Sequence, residues 1–191
     1  MKYRIALDCD DVINNLNEVV CKVFNEENGT DITEDTFTAY DIYKCLPFEV
    51  AEKYAALWKR EDIWRSLTPV YHSQWGAKKL VDDGFDVYIT TATHWENFPW
   101  KVEWLQSYFP FIDESRIICI RDKSILDVDV MIDDNLDNLI GNIRCNRVLL
   151  EKPWNKDAHD EVYGIKRGTN WDEIVVAVEE FYKQDEELMA S

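Results

Sequence analysis

Asp8 and Asp10 stand two residues apart where the short apolar run Ile5-Ala6-Leu7 enters Asp8-Cys9-Asp10-Asp11. Residues two apart on a strand share a face, so both carboxylates can converge on one point at the strand's carboxyl end. A second acidic pair, Asp133-Asp134, closes the apolar run Val130-Met131-Ile132. Buried strands do not ordinarily end in crowded carboxylates unless a cation or a reaction occupies them. If the two strands are neighbours, the pairs face each other and form a hard-oxygen site suited to Mg²⁺, waters and a substrate phosphate. Either pair alone reads as a solvated loop or a helix cap; the two together favour a site.

Two other strand ends are polar in a useful way. Val87-Tyr88-Ile89 runs into Thr90-Thr91, and Ile118-Cys119-Ile120 runs into Arg121-Asp122-Lys123. A threonine hydroxyl can donate to a phosphoryl oxygen, and a lysine can neutralise that oxygen and a neighbouring carboxylate. Taken singly, each also reads as a structural threonine or a surface lysine. Their order along the chain is what carries information.

The elements that must position these residues are short apolar runs alternating with helical patterns, which is the mark of an α/β chain with a parallel sheet. Strands are expected at 3–7, 85–90, 117–120, 130–132 and 147–150, with helices at 95–108, 135–142 and 171–183. Asp82-Asp83-Gly84 ends a helix that starts near Ser73 and drops the chain into the second strand. The interval after the first strand is too long for one crossover and holds helical patterns at 14–27 and 48–59. The expected organisation is a core of residues 1–13 and 71–184, a small helical cap at 14–70, and a frayed acidic tail at 185–191.

Composition narrows the partners. With 21 Lys and Arg against 38 Asp and Glu, the net charge of -17 repels a nucleic-acid polymer but not a small ester held by a local cation. The five cysteines are scattered without a CxxC pair, so they read as reduced thiols. No apolar run approaches membrane-span length, and no signal-peptide pattern opens the chain, so a cytoplasmic location is expected. Oligomeric state leaves no mark in the sequence.

An acidic pair, a threonine, a lysine and a second acidic pair, each after an apolar strand and in this order, resemble the four motifs of the haloacid dehalogenase superfamily. Within it, Tyr88-Ile89-Thr90-Thr91, Arg121-Asp122-Lys123-Ser124, Met131-Ile132-Asp133-Asp134-Asn135 and Leu149-Leu150-Glu151-Lys152-Pro153-Trp154-Asn155 resemble the 5'(3')-deoxyribonucleotidase family. The resemblance implies a Rossmannoid parallel sheet flanked by helices, and Mg²⁺-dependent removal of phosphate from nucleoside monophosphates. By the same resemblance, Asp8 would be the nucleophile and Asp10 the acid and base. Mg²⁺ would be held by Asp8, the Asp10 backbone carbonyl and Asp134, with Asp133 orienting Lys123. Thr90, Thr91 and Lys123 would hold the phosphoryl oxygens. Alternatives are a phosphatase of the same fold acting on another small ester, such as a sugar phosphate, and a nucleotide-binding module without turnover.

Two features depart from the family pattern. Asp11 stands where glycine is common; it either pairs with a cap residue or caps the following helix. Asn14-Asn15-Leu16 stands near a position where the family often has an aromatic residue for base stacking. Leu16, Phe37, Tyr40, Trp58 and Trp64 are the candidates to contact the substrate, against the plainer reading that such aromatics form the cap's own core. His72 and His94 read as structural or surface residues, and Trp95, Trp100 and Trp104 as core packing.

Overall fold

The computed structural model describes residues 2–190. Its centre is a six-stranded, wholly parallel sheet in the order β3-β2-β1-β4-β5-β6. The strands are β1 (Arg4–Asp8), β2 (Asp86–Thr91), β3 (Ile117–Cys119), β4 (Val130–Asp133), β5 (Asn146–Leu150) and β6 (Lys166–Gly168). The last was not anticipated, because Lys166-Arg167-Gly168 is an edge strand with no apolar alternation to betray it. The strand order reverses at β1, whose neighbours are β2 and β4. Open parallel sheets bind ligands beyond the strand ends at such a reversal.

Each central strand is buried on both faces, which is why its sequence is a continuous apolar run. Ile5 and Leu7 join the larger core cluster, packed with Ile174 and Val178 of α7 (Trp171–Ala190). Ala6, Met131 and Leu149 point the other way, onto Leu139 of α6 (Leu136–Gly141). The backbone register pairs Asp8 with Thr90 and Leu7 with Ile132. With a period of two, Asp8, Thr90 and Asp133 therefore project from one face and one edge of the sheet.

Between β1 and β2 lie α1 (Leu16–Asn28), α2 (Phe48–Leu57), α3 (Glu61–Ser66) and α4 (Ser73–Asp82). The short α3 was not expected. The points where the chain leaves and returns are stitched together: Asn14 bridges Pro69, the Asn15 N–H donates to the Thr68 carbonyl (3.2 Å), and Val70 N–H donates to the Ile13 carbonyl (3.0 Å).

Two expectations are corrected. Residues 185–190 are not a frayed tail: α7 continues to Ala190, and Asp185 accepts hydrogen bonds from the Tyr3 hydroxyl (2.6 Å) and the Asn146 side chain (2.9 Å). Trp95 is not core. It sits in a 3₁₀ turn just before α5 (Phe98–Tyr108) and is 82 % exposed, whereas Trp104 on the helix is buried.

The packing of α4 on α7 leaves no room for a side chain at Gly76, where an added Cβ would lie 2.3 Å from the Trp171 ring. Trp171 cannot give way freely, since its indole N–H donates to the Val12 carbonyl (3.0 Å) just beyond the acidic strand end. Gly76→Ala is expected to cost about 3 kcal/mol and lower Tm by roughly 10 °C in a thermal melt.

Candidate active site

The register brings the sequence-selected residues together. Lys123, 2 % exposed, lies between two carboxylates: its ammonium donates to Asp8 and, at 2.6 Å, to Asp133 Oδ2. Asp133 is itself fixed, its Oδ1 accepting the Asn135 N–H (2.8 Å) and its two oxygens facing the Asn138 amide. Burial pulls the Lys123 ammonium down, but Asp133 and Asp8 outweigh it and hold it above its ordinary value. Burial pushes Asp8 up to about 7 against the pull of Lys123.

Asp134 points the other way along the strand end and is held by the late Trp154-Asn155 segment. Trp154 Nε1 donates to Asp134 Oδ2 (2.9 Å), and Asn155 Nδ2 donates to the Asp134 backbone carbonyl (2.8 Å) and the Leu150 carbonyl (2.8 Å). One carboxylate oxygen from each of Asp8, Asp133 and Asp134 lies within 4.8 Å of the others. Burial, then the charges of Asp133 and Asp8, push Asp134 well above the carboxylate range. Three convergent oxygen donors with more negative charge than Lys123 alone offsets are what a hard divalent cation requires.

Ligand-orienting partners of this kind tune metal affinity. Trp154→Phe keeps the ring and removes the donor to Asp134. It is expected to weaken binding of a divalent cation by roughly 10-fold, read from a metal titration of the protein.

Thr90 Oγ1 is buried with no hydrogen-bond partner among the described residues, beside Asp8 in register. A buried, unpaired hydroxyl is suited to a ligand oxygen. Thr91 turns to the opposite face, where its Oγ1 accepts from Lys101.

Lys101 was missed by the sequence reading, which took its helix as core packing only. Its side chain is 1 % exposed; its ammonium donates to Asp10 Oδ2 and Thr91 Oγ1 and sits 4.9 Å from the centre of the Trp64 ring. Asp10 Oδ1 accepts from Asn14 Nδ2 (3.0 Å), so both oxygens of this carboxylate are held. Burial pulls Lys101 down, but Asp10, with Cys9 and Asp8 nearby, together outweigh it and leave it raised. The available signal was positional: Lys101 shares the stripe of Trp104 and Leu105, an apolar face where a lysine is out of place.

A cavity of about 220 Å³ opens beside these groups. Asp10, Asp11 and Asp134 line one side, and Leu16, Phe37, Tyr40, Trp58 and Trp64 all contribute to the rest. Phe37 and Trp64 are also packed in the core, so the two readings of these aromatics coexist. His94 reaches the rim, while His72 lies on the surface against Asp172 (3.0 Å). Asn17 and Asn97 line the cavity too, and neither was singled out in the sequence.

Asp11 resolves into something more than a cap. Its φ of 57° is left-handed, a conformation that explains why glycine suits this position and that aspartate tolerates. Its Oδ1 accepts the Asn17 N–H in the first turn of α1 (2.8 Å). Burial pushes its carboxyl up to about 7, with Lys152 opposing.

A parallel sheet whose order reverses between two acidic strand ends, with a lysine between them, is a haloacid dehalogenase-like fold. A haloacid dehalogenase-like protein from Agrobacterium tumefaciens shares the fold, with a TM-score of 0.67 at 11 % identity over 95 % of this chain and all of its own. Residues 2–181 match the model of the 5' nucleotidase, deoxy (Pyrimidine), cytosolic type C family, and the chain belongs to that family. It is 31 % identical to the 5'(3')-deoxyribonucleotidase of Bacillus subtilis over 91 % of this chain and 97 % of the relative. The 5'(3')-deoxyribonucleotidase of Clostridium acetobutylicum is 28 % identical over 81 % and 85 %. The chain is accordingly a hydrolase of phosphoric monoesters.

Proposed function

We propose that this protein is a cytoplasmic, Mg²⁺-dependent nucleotidase that removes phosphate from deoxyribonucleoside monophosphates through a phosphorylated Asp8. The observation that carries the reading is the junction of the Asp8–Lys123–Asp133 cluster with an aromatic cavity whose wall begins at Asp10. The helical insertion at 14–70 acts as the cap that closes this cavity.

Asp8 attacks phosphorus with its free oxygen while Lys123 holds the other. The P–O bond to the sugar breaks, and Asp10 gives its proton to the departing oxygen. Lys101 lies against the same carboxylate and stabilises the anion left behind. Asp10 then takes a proton from the water that attacks the acyl phosphate, releasing phosphate and restoring Asp8. Thr90 Oγ1 and Lys123 balance the charge spread over the phosphoryl oxygens, the main requirement of phosphoryl transfer. Asp8, Asp134 and the Asp10 carbonyl would hold Mg²⁺, which when bound supplies Lewis-acid polarisation of the phosphate.

The test is phosphate release from matched deoxynucleoside monophosphates and sugar phosphates, with and without Mg²⁺. Release that is abolished by a chelator, restored by Mg²⁺ and at least ~10-fold more efficient for the nucleotides supports the reading. Equal or better use of sugar phosphates would reject the substrate, and no release from any ester would leave a binding module.

A further inference from the structure

We infer that Asp11 is a specificity residue that receives a hydroxyl of the substrate's sugar, so that turnover depends on that hydroxyl. This rests on the nucleotide reading and adds a determinant that the reaction chemistry does not use.

Three observations meet at this side chain. Asp11 holds a left-handed backbone, φ 57°, that glycine would adopt without cost, so the carboxylate is kept despite the conformation. Only Oδ1 has a partner, the Asn17 N–H at 2.8 Å; no described residue donates to Oδ2. The residue lines the cavity beside Asp10 and Asp134. A capping role accounts for one oxygen and leaves the other turned to no protein donor.

Asn97 offers a second acceptor on the same wall. Asn97, 1 % exposed, donates through Nδ2 to the Trp58 carbonyl (2.8 Å), and a carbonyl can only accept, so the amide orientation is fixed. Its Oδ1 is then an acceptor without a partner among the described residues. Two of the cavity's donors are engaged by the protein itself: Trp64 Nε1 by the Trp58 carbonyl (2.8 Å) and Trp154 Nε1 by Asp134 (2.9 Å). Asp11 Oδ2 and Asn97 Oδ1 thus offer acceptors to a ligand hydroxyl on a wall that also carries the hydroxyls of Tyr40 and Thr93.

Asp11 lines the cavity next to Asp10, the group assigned to the departing ester oxygen. The part of a nucleotide next to that oxygen is the sugar. For a 5'-monophosphate of a deoxynucleoside, the only free sugar hydroxyl is the 3'-OH. A carboxylate oxygen accepting it makes a charge-assisted hydrogen bond, which a negative group near a phosphate could not otherwise justify.

The experiment compares a 2'-deoxynucleoside 5'-monophosphate with its 2',3'-dideoxy counterpart, on wild type, Asp11→Asn and Asp11→Gly. Asparagine tolerates the left-handed backbone and keeps an oxygen for the Asn17 N–H, while its amide nitrogen can only donate to the hydroxyl oxygen, a neutral bond weaker than the charge-assisted one; glycine removes the group altogether. Thermal melts confirm that each variant is folded. Wild type is expected to favour the hydroxylated substrate in kcat/KM by roughly 10-fold or more, Asp11→Gly to bring the ratio within about 2-fold and Asp11→Asn to leave an intermediate ratio. A ratio unchanged in Asp11→Gly would overturn the proposal, as would equal use of the two substrates by wild type. Absence of phosphate release from either nucleotide by wild type would instead reject the nucleotide reading, and this proposal with it.

Discussion

Asp8→Asn is expected to lower phosphate release on the order of 10⁴-fold or more while leaving the protein folded. The amide keeps the size of the carboxylate but cannot form the covalent intermediate, and removing a nucleophile collapses a concerted unit rather than one additive share of it. Stability should move little or rise. Burial already pushes Asp8 up to about 7, so its charge is costly there, and Lys123 retains Asp133 at 2.6 Å after the substitution. Steady-state phosphate release and a thermal melt on the same preparation check both halves. Loss of activity together with loss of folding would place Asp8 in the scaffold rather than the reaction.

Lys101→Met should lower kcat on the order of 10²-fold with a smaller change in KM. Methionine keeps much of the aliphatic length beneath Trp64 but removes the ammonium that joins Asp10 to Thr91. Asp10 keeps Asn14 at 3.0 Å, so it stays near its place but loses the positive charge that stabilises its anion. Leaving an uncompensated carboxylate in this partly buried site should also cost about 3 kcal/mol, a Tm fall of roughly 6–12 °C. Leaving-group dependence separates the role from general damage. With p-nitrophenyl phosphate, whose departing oxygen needs little protonation, the deficit should shrink towards the wild-type rate. An equal deficit on both substrates would mean that Lys101 serves structure alone.

The central strand ends were legible because a parallel strand buried on both faces reads as an unbroken apolar run, and charges at its end stand out against it. Asp8, Thr90, Lys123 and Asp133 are all punctuation of that kind, and the register brings them to one edge. Lys101 was hidden for the opposite reason. It lies inside a helix between tryptophans, and nothing local says that its partner is 91 residues away. Trp154 and Asn155 were visible as part of a late motif, but their task of holding Asp134 from two sides depends on β4 and β5 being neighbours. Strand β6 escaped because edge pairing demands backbone groups rather than an apolar pattern. The extension of α7 to Ala190 escaped because its acidic end looked solvated, whereas Asp185 is anchored by Tyr3 and Asn146. Asp11 drew notice only as a departure; its left-handed φ and unpaired oxygen are facts of the fold.

In the proposed reaction, phosphate passes through a covalent bond to Asp8. Rapid acid quench of the Mg²⁺-loaded protein with a deoxynucleoside monophosphate, followed by peptide mass analysis, tests it directly. One added phosphoryl group is expected on the peptide containing Asp8, formed within a turnover and absent in Asp8→Asn. Fast turnover with no phosphorylated peptide at any quench time, or a phosphoryl group on another residue, would contradict it.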